Sequence, residues 1–146
     1  VFCDHPDQWA LLGERPELAA GAVDEVMRYH PIGFNLPRLA TEDVVLAGVQ
    51  IPAGTLVFVN TAAANRDPAA FPEPDQFDIA RENRTGVLTF GSGAHYCLGS
   101  HLARLELTQA LTVMARLMPN LRRTGPSPWP SMLGIAGPSI LPVAFG

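Results

Sequence analysis

The stretch Phe90-Gly91-Ser92-Gly93-Ala94-His95-Tyr96-Cys97-Leu98-Gly99 decides how the rest of the 146-residue chain is read. It sets one cysteine between a glycine-rich approach and the start of the longest helical pattern in the sequence. Gly91 and Gly93 permit positive φ and let the backbone pass close to a flat ligand. Cys97 falls at the N-terminal edge of the helix that follows, where unpaired N–H groups and the positive end of the helix dipole favour an anion. A thiol placed there is shifted toward thiolate, the form that binds metals. The arrangement fits a socket for a single iron ion held by sulfur.

The flanking pattern gives that loop a frame. Residues 98–118 form the long helical pattern, closed by Pro119. Leu102, Ala103, Leu107, Ala110, Val113, Met114 and Leu117 fall on one side and predict a core face. Ser100, His101, Arg104, Thr108, Gln109 and Thr112 fall on the other. Upstream, residues 71–84 are dense in Pro, Asp, Glu and Asn, which reads as a linker by composition. Phe71, Phe77 and Ile79 are too apolar for a free one, so an ordered meander is expected. A helix opened by Pro16 is predicted to run to about Tyr29, with Leu18, Ala22, Val26 and Tyr29 on one face. Glu25 and Arg28 stand three apart on it and are surface neighbours. Alone, such a pair reads as a solvated ion pair worth roughly 0.2–0.5 kcal/mol.

Pro31 ends that helix. Residues 32–36 form an apolar connector before Pro37-Arg38. Residues 44–46 and 49–51 flank Ala47-Gly48 as a β-hairpin, residues 55–59 read as a strand, and residues 60–65 as a short helix. At the start, residues 1–15 predict a short helix with Pro6 near its first turn and Asp4 as a candidate cap. The tail, rich in Pro and Gly, ends in a short strand containing Ile140, Leu141, Val143 and Phe145. The fold class read from this order is mainly α with small β-sheets (α+β).

Composition excludes several functions. No run of some eighteen apolar residues is present, so no membrane span is expected. No charged-then-apolar leader opens the chain, so no secretory signal is expected. All basic residues are Arg, the net charge is −4, and no basic stripe appears, which argues against nucleic acid. Two cysteines, Cys3 and Cys97, make no disulfide framework and predict a reduced, cytoplasmic setting.

The order Phe90-Gly91-x-Gly93-x-His95-x-Cys97-x-Gly99 resembles the haem-binding loop of the cytochrome P-450 family, of the bacterial, soluble type. Cysteinate ligation of haem iron is the known arrangement of that family, not something the spacing proves. The resemblance implies haem b bound through the Cys97 thiolate, with Phe90, Gly91, His95 and Gly99 around it. His95 lies too close to Cys97 in sequence to reach the opposite face of a porphyrin, and the family pattern gives it a hydrogen bond to a propionate. Arg38 by resemblance reaches a propionate too, which suits its planar fork.

The resemblance extends along the chain. His5-Pro6-Asp7-Gln8-Trp9 looks like the segment after the family's long central helix. Glu25 and Arg28 resemble its Glu-x-x-Arg pair, a structural lock between helix and meander. Pro74-Asp75-Gln76-Phe77 resembles its Pro-x-x-Phe segment, where the third position is often Arg. With Gln76 there, the pair is expected to have a neutral partner. Ile32, Phe34 and the turn at Ile135 are implied to face substrate. The surface near Arg104 is implied to receive an electron donor, a ferredoxin or reductase.

On this reading residues 1–146 are a single partial domain, about the C-terminal third of the family fold. The intact enzyme would insert one oxygen atom from O2 into a small organic substrate. Two alternatives stay open: a haem-binding or structural remnant without turnover, and a peroxide-driven haem-thiolate enzyme. Zinc is the competing metal, with His95, Cys97 and His101 completed by Cys3 with His5. Its irregular ligand spacing and the unexplained glycines count against it.

Overall fold

The computed structural model describes residues 1–82, 86–129 and 134–146. Two of the meander residues, 84 and its predecessor 83, therefore lie outside the described residues. The chain opens on a 3-10 turn, Phe2–Asp4, followed by helix α1, Pro6–Glu14. Pro6 is at the first position of α1, where its missing N–H costs nothing. Asp4 does not cap α1: it ends the 3-10 turn, and its carboxylate accepts from Arg123 instead. A second 3-10 turn, Pro16–Leu18, leads into helix α2, Ala19–Tyr29.

Strand β1, Asn35–Leu39, pairs antiparallel with β4, Leu56–Asn60, with Arg38 opposite Val57. Between them, β2 (Val44–Leu46) and β3 (Val49–Ile51) form the expected hairpin. Its turn residues Ala47 and Gly48 have φ of 50° and 82°, the paired positive values that match strand twist in a two-residue turn. A one-turn helix, α3 (Thr61–Ala64), follows, its first turn capped by the Asn60 side chain accepting from Ala63 N–H at 2.8 Å. The meander then runs to the cysteine loop and helix α4, Ser100–Leu117. Short strands β5 (Arg122–Arg123) and β6 (Val143–Ala144) pair antiparallel at the end. The structure is thus helical with small separate two-stranded sheets, in keeping with the predicted class.

The core forms where α1, α2 and α4 meet the start of the chain and the meander. Phe2, Trp9, Leu12, Ala22, Phe77 and Ile79 pack together there. Trp9 spends its indole N–H on the Met118 carbonyl at 2.8 Å, satisfying a group at the C-terminus of α4. Helix α2 is buried nearly all round, because α4 covers one side and the meander covers the other. Its buried set therefore includes Glu25 and Arg28 as well as Ala19, Ala22, Val23 and Met27.

Helix α4 corrects the sequence reading. Leu102 and Leu117, placed on the expected core face, are 60% and 61% exposed, and Leu107, Val113 and Met114 are exposed too. The covered stripe is the smaller, more polar one, running through Ser100, Arg104, Thr108, Leu111, Thr112 and Ala115. The physical reason is the partner: Asp24 on α2 pairs with Arg104 and draws the polar side inward. The apolar side of α4 is only partly covered among the described residues: Leu107 and Met114 border a groove with Val23 and Met27 of α2, while Leu102 and Leu117 stay open.

Candidate functional site

The site is built from α2 outward. Glu25 and Arg28 are each only 1% exposed, so the solvated-pair reading fails. Arg28 donates from Nε and Nη2 to the two Glu25 oxygens at 2.8 and 2.9 Å, the bidentate geometry that Arg alone provides. Its remaining donors reach across to the carbonyls of Asn65 (3.0 Å), Pro74 (2.7 Å) and Gln76 (2.8 Å). The pair thus fastens α2 to the segment after α3 and to the meander.

The expectation of a neutral third partner is overturned. Gln76 contributes its backbone carbonyl, while its side chain turns to Glu73 at 3.2 Å. The second cation is Arg81, whose Nε lies 3.2 Å from Glu25 Oε2. Arg81 also donates to the carbonyls of Pro72, Glu73 and Gln76. With the Asp78 N–H donating to Glu25 at 3.0 Å, the carboxylate is fully served. A buried carboxylate needs that many donors to offset desolvation.

Asn65 carries the lock onward. It is fully buried, and its backbone carbonyl accepts from Arg28 while its side-chain oxygen accepts from Leu88 N–H at 2.8 Å. Its amide donates to Thr89 Oγ1 at 3.1 Å, and that hydroxyl donates to the Met27 carbonyl at 2.6 Å. The two residues preceding Phe90 are therefore pinned to α2 and to Asn65. The sequence places Asn65 at the end of a short helix and carries no signal for these partners, which lie 23 and 24 residues on.

The loop itself closes on a backbone bond. Cys97 N–H donates to the Phe90 carbonyl at 2.9 Å, and Tyr96 N–H to the Gly93 carbonyl at 3.0 Å, around a 3-10 turn at Gly93–His95. Gly91 and Gly93 hold φ of 75° and 68°, the conformation for which glycine was singled out. A Cβ on Gly91 would stand 3.7 Å from the Leu36 methyl, so the loop passes along β1. Strand alternation sets Arg38 on the same face of β1 as Leu36.

The Cys97 thiol is free and exposed, and it lies two residues before the N-cap Gly99 of α4 rather than at the helix edge the sequence suggests. His95 is also exposed, as is Arg38, whose guanidinium donates to the Pro37 carbonyl at 2.8 Å and pairs with no carboxylate among the described residues. Phe90 is partly buried, and Gly99 is the N-cap residue of α4. Among the described residues no group of three or more His, Cys, Asp or Glu could hold a metal ion, so the zinc set does not assemble. The remaining donors fit a ligand that brings its own metal coordination, with one thiol on the iron and free cationic or imidazole groups for acidic substituents.

The connector expected to face substrate is joined to the C-terminal turn. Gly33 and Ile135 form an isolated antiparallel bridge, and Ala136 N–H donates to the Ile32 carbonyl at 2.7 Å. Ile32 and Ile135 are open, the latter 85% exposed, while Phe34 is partly buried near Trp129. His30, just before this connector, stands edge-on to Trp129 at 4.8 Å. Partial burial, helped by the positive charges of the N-terminus and Arg66, lowers its pKa below 6.5. Arg104, on the surface expected to receive an electron donor, is partly exposed and bonded to Asp24 and Tyr96. No helix among the described residues is long and apolar enough to cross a membrane.

Comparison with known proteins converges on one family. The family model described as Cytochrome P450 matches residues 4–117. The chain is 44% identical over 146 residues to luteothin monooxygenase of Streptomyces thioluteus, covering 99% of this chain and 36% of that protein. It is 43% identical over 150 residues to nocardicin C N-oxygenase of Nocardia uniformis subsp. tsuyamanensis, covering 99% of this chain and 37% of the relative. Among solved structures, P450BioI in complex with a hexadec-9Z-enoic acid ligated acyl carrier protein superimposes with a TM-score of 0.93 at 39% identity, covering 99% of this chain and 38% of that one. Cytochrome P450 CREJ gives 0.94 at 38% identity, with 100% and 37% covered. The chain thus spans well under half the length of the relatives it matches.

Proposed function

The chain belongs to the cytochrome P450 family, and from that premise we propose that it carries the thiolate side of a haem site, with Cys97 as the iron ligand. The observation that carries the proposal is the Cys97 thiol, free and exposed just ahead of α4 on a loop whose approach is pinned by Asn65 and Thr89. The fixed loop keeps the sulfur in one place. Arg38 and His95 are the groups we assign to the propionates, and Phe90, Gly91 and Gly99 to the cofactor's proximal surroundings. Bound through sulfur, haem iron supplies the chemistry of O2, with electron donation that favours O–O cleavage.

For the whole protein we propose a monooxygenase that inserts one oxygen atom into a small organic substrate, with electrons from a ferredoxin or reductase. The names of the relatives, a monooxygenase and an N-oxygenase, support that class. Ile32, Phe34 and Ile135 would supply an apolar wall to the substrate space, and the Gly33–Ile135 bridge would keep its two halves together. Glu25 and Arg28 act structurally, by locking α2 to the meander.

For the 146-residue chain alone we propose haem capture without turnover. The exposed apolar side of α4 and of Ile135 supports this, because these surfaces call for cover that would also exclude water from a reacting site. We read the residues as the C-terminal portion of a longer P450 domain. The test is to titrate the purified chain with haem, reduce it and add carbon monoxide. A Soret band at the thiolate position is expected, with no substrate oxidation when NADPH and a donor system are supplied. Failure to take up haem would overturn the site, and hydroxylation by the chain alone would overturn the limit placed on it.

A further inference from the structure

The cysteine loop has a second anchorage, independent of Asn65, and it is made by one side chain. Arg104 Nε donates to Asp24 Oδ1 of α2 at 3.0 Å, and its Nη1 donates to the Tyr96 hydroxyl at 2.8 Å. Its guanidinium carbon stands 4.8 Å from the centroid of the Phe90 ring. Phe90 and Tyr96 are the two ends of the turn that closes when Cys97 N–H bonds the Phe90 carbonyl. One guanidinium from α4 thus touches both ends of the loop and the neighbouring helix. Its side chain is 32% exposed, and its charge is already paired.

We propose that Arg104 is the positioning residue of the Cys97 loop, acting through Tyr96 and Phe90, with Asp24 fixing its plane; this rests on the reading that Cys97 ligates haem iron. The chemistry requires arginine. A planar fork sends donors in two directions while its face lies on an aromatic ring. A lysine ammonium could hold Asp24 or Tyr96 but offers no plane to Phe90. The tyrosine immediately before the ligand becomes the handle by which α4 and α2 set where the sulfur points. Helix α2 then serves the site twice, through Glu25 and Arg28 to the meander and through Asp24 to the loop.

Hydrogen exchange on the intact chain without cofactor tests this directly. Tyr96→Phe removes the phenol oxygen, and Arg104→Lys removes the fork. In both variants the amides of Tyr96 and Cys97 are expected to exchange roughly tenfold faster, the effect of losing one charge-assisted bond. Amides in the middle of α2 and α4 are expected to keep their wild-type rates. Unchanged exchange in the loop would overturn the proposal, and so would equal acceleration over the whole chain, which would mean a general structural role. A second reading uses the haem-loaded chain: both variants are expected to lose part of the thiolate-type carbonyl band to the thiol-type band, and an unaltered ratio counts against the clamp. The Cys97→Ser protein separates the two claims. If its spectrum matches wild type, the ligand assignment fails, while the exchange data still decide the clamp.

Discussion

Replacing Arg28 with Met takes the bidentate partner from a buried carboxylate and leaves two carbonyls without their arginine donor. Glu25 would keep Arg81 and the Asp78 N–H but lose its bidentate partner. Breaking a buried ion pair by removing one member costs about 3–5 kcal/mol. The carbonyls of Asn65 and Pro74 would lose the Arg28 donor too, while Gln76 would still receive Arg81. A buried acceptor left unpaired costs about 1–3 kcal/mol, and local relaxation makes these costs overlap. The expected total is about 4–6 kcal/mol, comparable with the whole stability of many domains. Arg28→Lys should recover little, because one ammonium cannot span the carboxylate and carbonyls on several segments. Glu25→Leu combined with Arg28→Met should be less damaged than Arg28→Met alone, since the buried carboxylate goes with its partner while Arg81 keeps the carbonyls of Pro72, Glu73 and Gln76. Urea unfolding followed by circular dichroism gives the three values. A loss below about 1 kcal/mol in Arg28→Met would refute the reasoning, because that is the range of a solvent-exposed pair.

Two further outcomes follow from particular contacts. Gln76→Arg should change stability by less than about 0.5 kcal/mol, since the side chain is exposed and Arg81 already serves Glu25; Arg81→Gln should cost more, and urea midpoints of the two variants decide it. His30 should titrate below its usual value of 6.5, so in the fold its neutral form is favoured. Its contribution to stability is then fully present above that value and is lost as pH falls through the lowered pKa. In a Trp9→Phe background, quenching of Trp129 fluorescence by protonated His30 should show a midpoint below 6.5; a midpoint at or above it would contradict the burial.

Much of this was legible because it rests on local constraints. The Cys loop is written in residues whose backbone demands are individual: Gly91 and Gly93 adopt the positive φ that marked them. The β2–β3 hairpin announced itself by Ala47-Gly48 for the same reason. What could not be read was which partner a residue meets. Arg81 and Gln76 sit five apart in the meander, and only the chain path decides that the arginine, not position 76, turns to Glu25. Asn65 reads only as the end of a short helix because its partners, Leu88 and Thr89, are remote in sequence. Helix α4 was misjudged for a different reason. Periodicity finds an apolar face but not what covers it, and here Asp24 brings the polar stripe against α2 while the leucines stay open.

The claim on which the account rests is the bond between the Cys97 sulfur and iron. X-ray absorption at the iron edge of the haem-loaded chain measures it without reference to activity. The account predicts a sulfur neighbour in the first coordination shell that vanishes in Cys97→Ser and persists in Cys3→Ser. A wild-type shell of nitrogen and oxygen alone, or a sulfur neighbour that survives Cys97→Ser, would contradict it.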